Sequence, residues 1–318
     1  MWKNMKQKYL IGVDLGGTNT VFGIVDSEGN IICEDSIKTQ SFPRIEDFVE
    51  ACAQSVEPLI ERVGGKELIG GMGIGAPNAN YYTGSIAEAP NLPWKGEVPL
   101  AKLLSERLHL NVVMTNDANA AAMGEMIYGA ARGMRHFIVI TLGTGVGSGI
   151  VIDGKLVYGS DGFAGELGHL IIDRSADARL CGCGRRGCLE TYCSARGIVR
   201  TAQEQMEAGC PTLLSGVNEL SALEIYKAAK QGDAVAIETF RRTGELLGAA
   251  CADITTFCSP EAYIFFGGPM RSHEFIMPHI IKTYNAQVMP IYRNRCKFLL
   301  SELMDKNAAV LGAAALMA

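Results

Sequence analysis

The sequence contains one strand-and-turn unit twice, and this repetition constrains the fold more than any other feature. In the first copy, the apolar run 9–14 ends in the glycine-containing turn 15–18, and two further strands follow, joined by a hairpin turn. In the second copy, the run 137–141 ends in the turn 142–145, and Asp153-Gly154 is a strong hairpin signal. The turns begin at positions 15 and 142, about 127 residues apart. Duplication of this kind predicts two related α/β halves with a ligand cleft between them.

Composition and charge exclude several classes of protein. The 318 residues include 48% apolar and 20% charged side chains, which favours a folded chain of about two domains. A formal net charge of −5 and 7% aromatic residues argue against a nucleic-acid-binding surface. No apolar run approaches the roughly 20 residues of a membrane helix, and no apolar segment follows the charged N-terminus as in a signal peptide. We therefore expect a cytoplasmic protein without nucleic-acid or membrane partners.

Glycine turns at the ends of apolar strands are suited to binding phosphate groups. A backbone without side chains can approach a phosphate closely, and its N–H groups act as donors. Strand rather than helix follows the first two turns, and no Gly-Lys-Ser/Thr follows, so neither a Rossmann fingerprint nor a Walker A loop is present. The alternative is that each is only a tight β-turn. The candidate phosphate-binding residues are Gly16, Gly17, Thr18, Gly143, Thr144 and Gly145, with a third glycine pair at Gly267 and Gly268.

An acidic residue follows the short strand 112–115 and precedes an alanine-rich helix. Spacing alone favours Asp117 as the N-cap of that helix, because aspartate suits this position. A carboxylate in the hinge between two halves could instead accept a proton from a substrate hydroxyl. The two roles need not exclude one another.

Three cysteines lie within eight positions in a glycine-rich segment. Thiolates with an imidazole suit tetrahedral zinc, and a closed set of four ligands indicates a structural site. Free thiols, or a disulfide in an oxidising compartment, are the alternatives. Cys193 lies outside the group and is interpreted as structural. The cysteines are Cys181, Cys183 and Cys188, and the nearest upstream histidine is His169.

These motifs together resemble a known family. Residues 14–19 (DLGGTN) resemble the first phosphate loop of the sugar kinase/Hsp70/actin superfamily, and 142–147 (LGTGVG) its second. Within that superfamily, residues 143–169 are similar to the signature of the ROK family (repressors, open reading frames and kinases). The resemblance covers essentially the whole chain. It implies a two-lobed α/β, ribonuclease-H-like (actin-like ATPase) fold with an interlobe active site, with lobes 1–116 plus a C-terminal helix 303–318, and 117–302.

The resemblance also implies a role for each motif residue. Asp117 matches the catalytic base, and Asp14 the residue that helps to hold hydrated Mg²⁺ with ATP. The zinc ligands implied are His169, Cys181, Cys183 and Cys188. The nucleotide-binding positions are Asp14, Gly16, Gly17, Thr18, Asn19, Gly143, Thr144, Gly145, Gly267 and Gly268. The sugar-binding positions are Gly75, Pro77, Asn91, Asn116, Asp117, Glu166, His169 and Glu190.

Several of these positions keep alternatives. Turn chemistry beside a proline is the alternative for Asn91, and a solvated surface carboxylate is the alternative for Glu166 and Glu190. Family members often have glycine after Pro77, whereas this chain has Asn78, which tolerates positive φ less freely than glycine.

The activity that the resemblance implies is transfer of the γ-phosphoryl group of ATP to the 6-hydroxyl of an aldohexose. The segment 91–94 resembles that of glucokinase-type members and favours glucose. N-acetylglucosamine, N-acetylmannosamine, fructose and allose are the alternative substrates. A sugar-responsive repressor or a silent sugar-binding regulator is the alternative class; repressors of the family carry a helix-turn-helix domain ahead of the first glycine loop, for which a loop starting at Asp14 leaves no room. A homodimer is expected only because members of the family often form dimers.

Overall fold

The computed structural model describes residues 7–89, 91–304 and 307–318. Their strands are β1 (Tyr9–Leu15), β2 (Asn19–Asp26), β3 (Ile31–Lys38), β4 (Ile69–Gly75), β5 (Ala79–Asn80), β6 (Ser85–Ala87), β7 (Glu97–Val98), β8 (Val112–Thr115), β9 (Phe137–Leu142), β10 (Val146–Ile152), β11 (Lys155–Leu156), β12 (Ala262–Phe266) and β13 (Lys297–Leu300). The α-helices are α1 (Ile45–Arg62), α2 (Leu100–Leu108), α3 (Asp117–Tyr128), α4 (Glu190–Cys193), α5 (Ala195–Glu207), α6 (Ala222–Lys230), α7 (Ala234–Cys258), α8 (His273–Gln287) and α9 (Ala308–Ala315).

Two five-stranded sheets have the same strand order and the same strand directions. The first runs β3-β2-β1-β4-β8, in which β1 to β3 are antiparallel and β4 and β8 are parallel to β1. The second runs β11-β10-β9-β12-β13, in which β9 to β11 are antiparallel and β12 and β13 are parallel to β9. This correspondence confirms the predicted α/β architecture with two related halves. A small sheet, β5-β6-β7, is added beside the first.

Each sheet has its own apolar core. The first core packs α1 and α2 against the sheet through buried side chains such as Phe48, Val56 and Met72. The apolar residues of α1 recur at helical spacing, which is the pattern that predicts a helix over 45–63. The second core packs the long helix α7 and its partner α8 against β9 and β12, with Phe240 and Tyr263 fully buried. The sequence between residues 194 and 257 has a helical pattern, and in the structure this region forms α5, α6 and most of α7.

Helices α3 and α9 lie between the sheets and contact each other. Helix α3 packs on β9 and β10 of the second sheet, whereas α9 packs on β1 and β4 of the first. The approach of α9 requires glycine in the strands below it. A Cβ on Gly12 would lie 2.0 Å from the carbonyl oxygen of Val310, and one on Gly73 would lie 1.8 Å from that of Ala313. The last helix thus returns to the first sheet, and α3 connects the two halves.

The hairpin predicted at Asp153-Gly154 joins β10 and β11. Both residues have positive φ, 58° and 74°, as a type I′ turn requires.

All ten cysteines lie within the described residues and are free thiols, so the disulfide alternative is wrong. In the part of the chain that the structure describes, no helix is both long enough and apolar enough to cross a membrane. The charged N-terminus, for which the sequence predicts no signal peptide, falls mostly on residues 1–6, which lie outside the described residues. Pro90 and residues 305–306 of the predicted C-terminal segment also lie outside them.

Candidate active site

A cavity of about 700 Å³ opens between the two sheets, and the carboxyl ends of their strands converge on it. Asp14 comes from β1, and Asn116 and Asp117 follow β8. From the second sheet, the turn after β9 and the glycines after β12 line the opposite wall. Ligands of parallel α/β sheets bind in crevices at such strand ends. The duplicated topology therefore explains why residues distant in sequence meet here.

Most of the sequence-predicted site residues line this cavity, and a smaller set does not. Those that line it are Asp14, Pro77, Asn91, Asn116, Asp117, Gly143, Thr144, Gly145, Glu166, His169, Glu190, Gly267 and Gly268. Those outside the lining are Gly16, Gly17, Thr18, Asn19, Gly75 and the three cysteines of the cluster. Gly75 is buried beneath the start of α3, where a Cβ would lie 3.8 Å from the α-carbon of Asp117.

Asp117 is the first residue of α3 but does not cap it. The side-chain oxygen of Asn116 accepts the backbone N–H of Asn119 at 2.7 Å, which makes Asn116 the N-cap. The interpretation of Asp117 as the cap is therefore wrong, because the preceding amide already fills that role. The Asp117 carboxylate accepts the backbone N–H of Ala118 at 2.8 Å and faces the cavity. Burial raises the pKa of Asp117, which makes its carboxylate a stronger base.

A second carboxylate lies close to Asp117. Burial and the neighbouring charge of Asp117 together raise the pKa of Asp14 from 3.8 to about 6. Two acidic groups at the ends of β1 and β8 thus share one region of the cavity. Such a pair binds a cation or a proton readily, because either reduces the repulsion between the two charges.

The two glycine turns are both closed by a backbone hydrogen bond but differ in their surroundings. Gly143 N–H donates to Gly145 O at 3.0 Å, and this turn lines the cavity. Gly16 N–H donates to Asn19 O at 3.0 Å, while Gln40 Nε2 donates to the carbonyl oxygen of Gly17 at 2.6 Å. The side chain of Asn19 accepts a hydrogen bond from Lys38 Nζ at 2.8 Å. Gly143 O likewise accepts the backbone N–H of Ala195 at 2.9 Å, so protein groups hold both turns, but only the second turn lines the cavity.

Asn78 adopts the conformation that glycine would provide. Its φ is 52°, and its Nδ2 donates to the carbonyl oxygens of Ala87 at 3.1 Å and Glu88 at 3.2 Å. Asparagine is among the residues that tolerate this region best. The turn after Pro77 is thus kept, and the amide adds two hydrogen bonds that glycine could not make.

The histidine–cysteine cluster has the geometry of a tetrahedral metal site. The ligand atoms of His169, Cys181, Cys183 and Cys188 all lie within 4.8 Å of one another. The Sγ atoms of Cys183 and Cys188 are 3.7 Å apart, and Cys181 Sγ is 3.6 Å from His169 Nδ1. Bonds of about 2.3 Å to sulfur and about 2.0 Å to nitrogen at tetrahedral angles give separations of about 3.8 and about 3.6 Å. Three thiols and one imidazole therefore fit an ion such as zinc, which favours this interpretation over unliganded thiols.

The cluster lies directly behind two carboxylates of the cavity. With Nδ1 of His169 directed at Cys181, its Nε2 lies 3.9 Å from Glu166 Oε2. Glu190 begins α4, two residues after Cys188, and its Oε1 accepts the Cys181 thiol at 3.0 Å. Both glutamates line the cavity, so the interpretation of either as an ordinary surface carboxylate is not favoured. A metal held here would fix the orientation of the side chains of His169, Glu166 and Glu190.

Sequence reasoning did not single out several lining residues. The most prominent is Phe163, whose side chain is 48% exposed although it lines the cavity. It lies inside the segment 143–169 that resembles the family signature, but its side chain is not one of the residues that carry the resemblance, so only its position near Glu166 could have suggested a role. Others are Thr141, Ser148 and Phe266, whose apolar or strand context predicts a core position.

Paired sheets of this topology, with strand ends and glycine turns around one cleft, define the actin-like ATPase fold of sugar kinases. The ROK family profile matches residues 10–318, and the chain belongs to the ROK family. It is 37% identical to a glucokinase of Streptomyces coelicolor, over 96% of each chain. A solved ROK family glucokinase from Streptomyces griseus, in complex with glucose and AMPPNP, is 37% identical, with a TM-score of 0.78 over 97% of this chain and 98% of that one. A xylose repressor of Bacillus spizizenii is 29% identical, over 97% of this chain and 77% of the repressor.

Proposed function

We propose that this protein is an ATP-dependent hexose kinase that phosphorylates the 6-hydroxyl of glucose. The observation that carries the proposal is the position of Asp117 in one cavity with the turn 143–145 and with His169 and Glu190. This arrangement offers a base, a phosphate site and a polar sugar site side by side. Full-length similarity to glucokinases at 37% identity supports glucose as the sugar.

Asp117 is the general base of the proposed reaction. Its carboxylate accepts the proton of the sugar 6-hydroxyl as that oxygen attacks the γ-phosphorus of ATP. A bond forms between O6 and the γ-phosphorus, the bond from the γ-phosphorus to the bridging oxygen breaks, and ADP leaves with the electron pair. The burial that raises the pKa of Asp117 suits it to this step, because a stronger base takes the proton more readily.

The phosphate groups are assigned to the glycine turns. The N–H groups of Thr144 and Gly145 would donate to phosphate oxygens, while Gly143 N–H closes that turn by donating to Gly145 O. Gly16, Gly17, Thr18 and Asn19 would bind the phosphates from the opposite side, and Gly267-Gly268 would lie beside the adenosine. Asp14 would hold the hydrated Mg²⁺ that enters with ATP. When bound, that ion offsets the charge that develops on the phosphates.

The sugar hydroxyls are assigned to the other wall of the cavity. Asn91, Asn116, Glu166, His169 and Glu190 would bind them, while Gly75 and Pro77 shape the turn beneath. We propose zinc as the ion of His169, Cys181, Cys183 and Cys188, because the donor set and its separations fit zinc. Its role is structural, since it would fix the tautomer and the ring orientation of His169.

The assignment of lobes 1–116 plus 303–318 and 117–302 is likewise a proposal. It is supported by the separation of the two sheets and by the packing of α9 on the first. A cytoplasmic location is supported by ten free thiols, which require a reducing compartment. A homodimer is proposed on family membership only.

The test is ADP release with MgATP against glucose, N-acetylglucosamine, N-acetylmannosamine, fructose and allose. We expect the highest kcat/KM with glucose. Asp117→Asn should lower kcat by about 10²–10⁴-fold while glucose still shifts the Tm, because the amide keeps the shape and removes the base. A near-native rate in this variant would show that Asp117 is not the base.

Similarity to a xylose repressor favours a sugar-responsive regulator as the second candidate. The same panel separates the two. No turnover on any hexose, together with sugar-dependent thermal stabilisation and a sugar-sensitive DNA gel shift, would support the regulator and contradict the kinase.

A further inference from the structure

A loop at residues 158–165 spans the cleft at the edge of the cavity. It follows β11 and is fixed to the second sheet at both ends. Val157 N–H donates to Ile150 O at 2.9 Å, and the Ser148 hydroxyl donates to Gly165 O. Between these anchors the loop reaches across to residues 80–82, which belong to the first half of the chain.

Three separate contacts hold the loop to the opposite side. The rings of Tyr81 and Tyr158 stack with centroids 4.1 Å apart and an interplanar angle of 7°. Tyr82 Oη donates to Gly159 O at 2.9 Å, and Asn80 Nδ2 donates to Asp161 O at 2.6 Å. We call Asn80, Tyr81, Tyr82 and Tyr158 the cross-cleft cluster.

The cross-cleft cluster fixes the direction of Phe163. Gly162, the preceding residue, is buried with φ 89°, and a Cβ there would lie 2.6 Å from Asn80 Nδ2. The backbone at Gly162 therefore packs directly against the side chain of Asn80, and the side chain of the next residue, Phe163, lines the cavity. Phe163 N–H also donates to Asp161 Oδ1 at 3.3 Å, which closes the turn.

The exposure of Phe163 within the cavity suits a ligand with an apolar face. The residue is 48% exposed, and the same cavity contains the carboxylates of Glu166 and Glu190 as well as apolar groups such as Phe266. An exposed aromatic ring gains free energy when a ligand covers it. A pyranose has hydroxyls around its rim and C–H groups on its faces. The hydroxyls on its rim suit the polar side chains of Glu166 and His169, which lie three and six residues after Phe163. One of its C–H faces suits the aromatic ring of Phe163.

We propose that Phe163 is a sugar-binding and specificity-determining residue, whose ring packs against a C–H face of the hexose, and that the cross-cleft cluster positions it. This inference rests on the proposed hexose kinase function. The ring also covers that face, so that it selects against hexoses with an axial substituent on the covered side.

The test compares Phe163→Ala with Phe163→Tyr. We expect Phe163→Ala to raise the KM for glucose about tenfold and to leave the KM for ATP within twofold. The kcat/KM of N-acetylmannosamine or of allose, whose axial substituents lie on opposite faces of the sugar, should rise relative to glucose in the same variant. Phe163→Tyr keeps the ring and should restore the glucose KM. The shift of Tm by glucose without ATP measures the contact independently of catalysis and should shrink in Phe163→Ala.

Tyr81 provides the test of positioning. Tyr81→Ala removes the stack on Tyr158 and should raise the glucose KM severalfold with the ATP KM unchanged, whereas Tyr81→Phe keeps the stack and should behave as wild type. An unchanged glucose KM in Phe163→Ala, or equal changes in both KM values, would overturn the inference.

The failure of this inference is distinguishable from that of the kinase proposal. If the wild type phosphorylates no hexose but glucose raises its Tm, the kinase proposal fails, and loss of that shift in Phe163→Ala still supports the ring contact. If the wild type shows neither turnover nor a shift, both proposals are contradicted.

Discussion

The two sheets have one topology but bring different chemistry to the cavity. The first sheet contributes acidic side chains, Asp14 at the end of β1 and Asp117 directly after β8. The second contributes the backbone of the turn 143–145 and, on or beside the histidine–cysteine cluster, His169, Glu166 and Glu190. Duplication has thus fixed where the strand ends meet, while the residues placed at those ends have diverged. A fold of this kind positions a site, and the residues at its strand ends determine the reaction.

The glycine turns show the same divergence on a smaller scale. A Cβ on Gly143 would have no neighbour within 4 Å, whereas one on Gly17 would lie 2.9 Å from the carbonyl oxygen of Asn91. Gln40 Nε2 binds both Gly17 O, at 2.6 Å, and Asn91 O, at 2.9 Å. Glycine at position 17 therefore allows close packing against Asn91 in addition to its proposed phosphate contact, whereas glycine at position 143 leaves space in the cavity.

Removal of the metal is the first test of this division of roles, and its expected effect is the largest. Zinc content is measured in the purified protein, and a chelator then removes the ion. We expect glucose affinity to fall at least about tenfold, because His169, Glu166 and Glu190 lose their fixed orientation. Affinity for a non-hydrolysable ATP analogue should stay within twofold, because none of the four cluster residues belongs to a glycine turn.

Titration calorimetry of both ligands on the same chelated sample checks this, and glucose binding should return when zinc is added back. Unchanged glucose affinity after complete removal would show that the cluster does not organise the sugar site. An equal loss of both ligands would indicate general unfolding, which circular dichroism detects.

A matched pair of glycine substitutions compares the two turns directly. Gly143→Ala places a methyl group in the cavity without touching protein, so we expect the KM for ATP to rise about tenfold, equivalent to about 1.4 kcal/mol, with Tm unchanged. Gly17→Ala forces the methyl against Asn91, so we expect a loss of about 1–3 kcal/mol of stability and a smaller change in the KM for ATP. A rise in the ATP KM of Gly17→Ala at unchanged Tm would mean that both turns bind phosphate alike.

The sequence allowed the architecture to be predicted because its signals are local. Glycine turns after apolar runs and the Asp-Gly hairpin report strand ends directly, and the spacing of thiols in a glycine-rich segment predicts a metal cluster. What could not be predicted depends on contacts between distant segments. The cap of α3 falls on Asn116 because only the observed helix start shows which side chain reaches Asn119. Phe163 acquires its position from Asn80 and Tyr81, about 80 residues away, and no local pattern encodes that approach.

The smallest expected effect concerns the acidic half of the site and the stability of the protein. Burial raises the pKa of Asp117 in the folded chain above its ordinary value of 3.8. The unfolded chain therefore gives up this proton at a lower pH than the folded chain does. The loss of stability begins above pH 3.8 and is complete once the pH exceeds the folded pKa. Asp117→Asn should accordingly raise the Tm at pH 7.5, by a few degrees at most, because 1 kcal/mol corresponds to about 2–4 °C in a domain of 150–250 residues.

The pH dependence gives this last prediction its control. As the pH falls through the folded pKa, the wild-type carboxyl takes up its proton, the cost disappears, and the Tm difference between wild type and Asp117→Asn should shrink towards zero. In parallel, the kcat of the wild type should be at its maximum above that pKa and should fall as the pH drops through it. The midpoint of this fall in kcat should lie above pH 3.8. A Tm difference that is the same at pH 4 and pH 7.5 would show that the amide acts through packing. The charge of the base would then contribute nothing to the difference in stability.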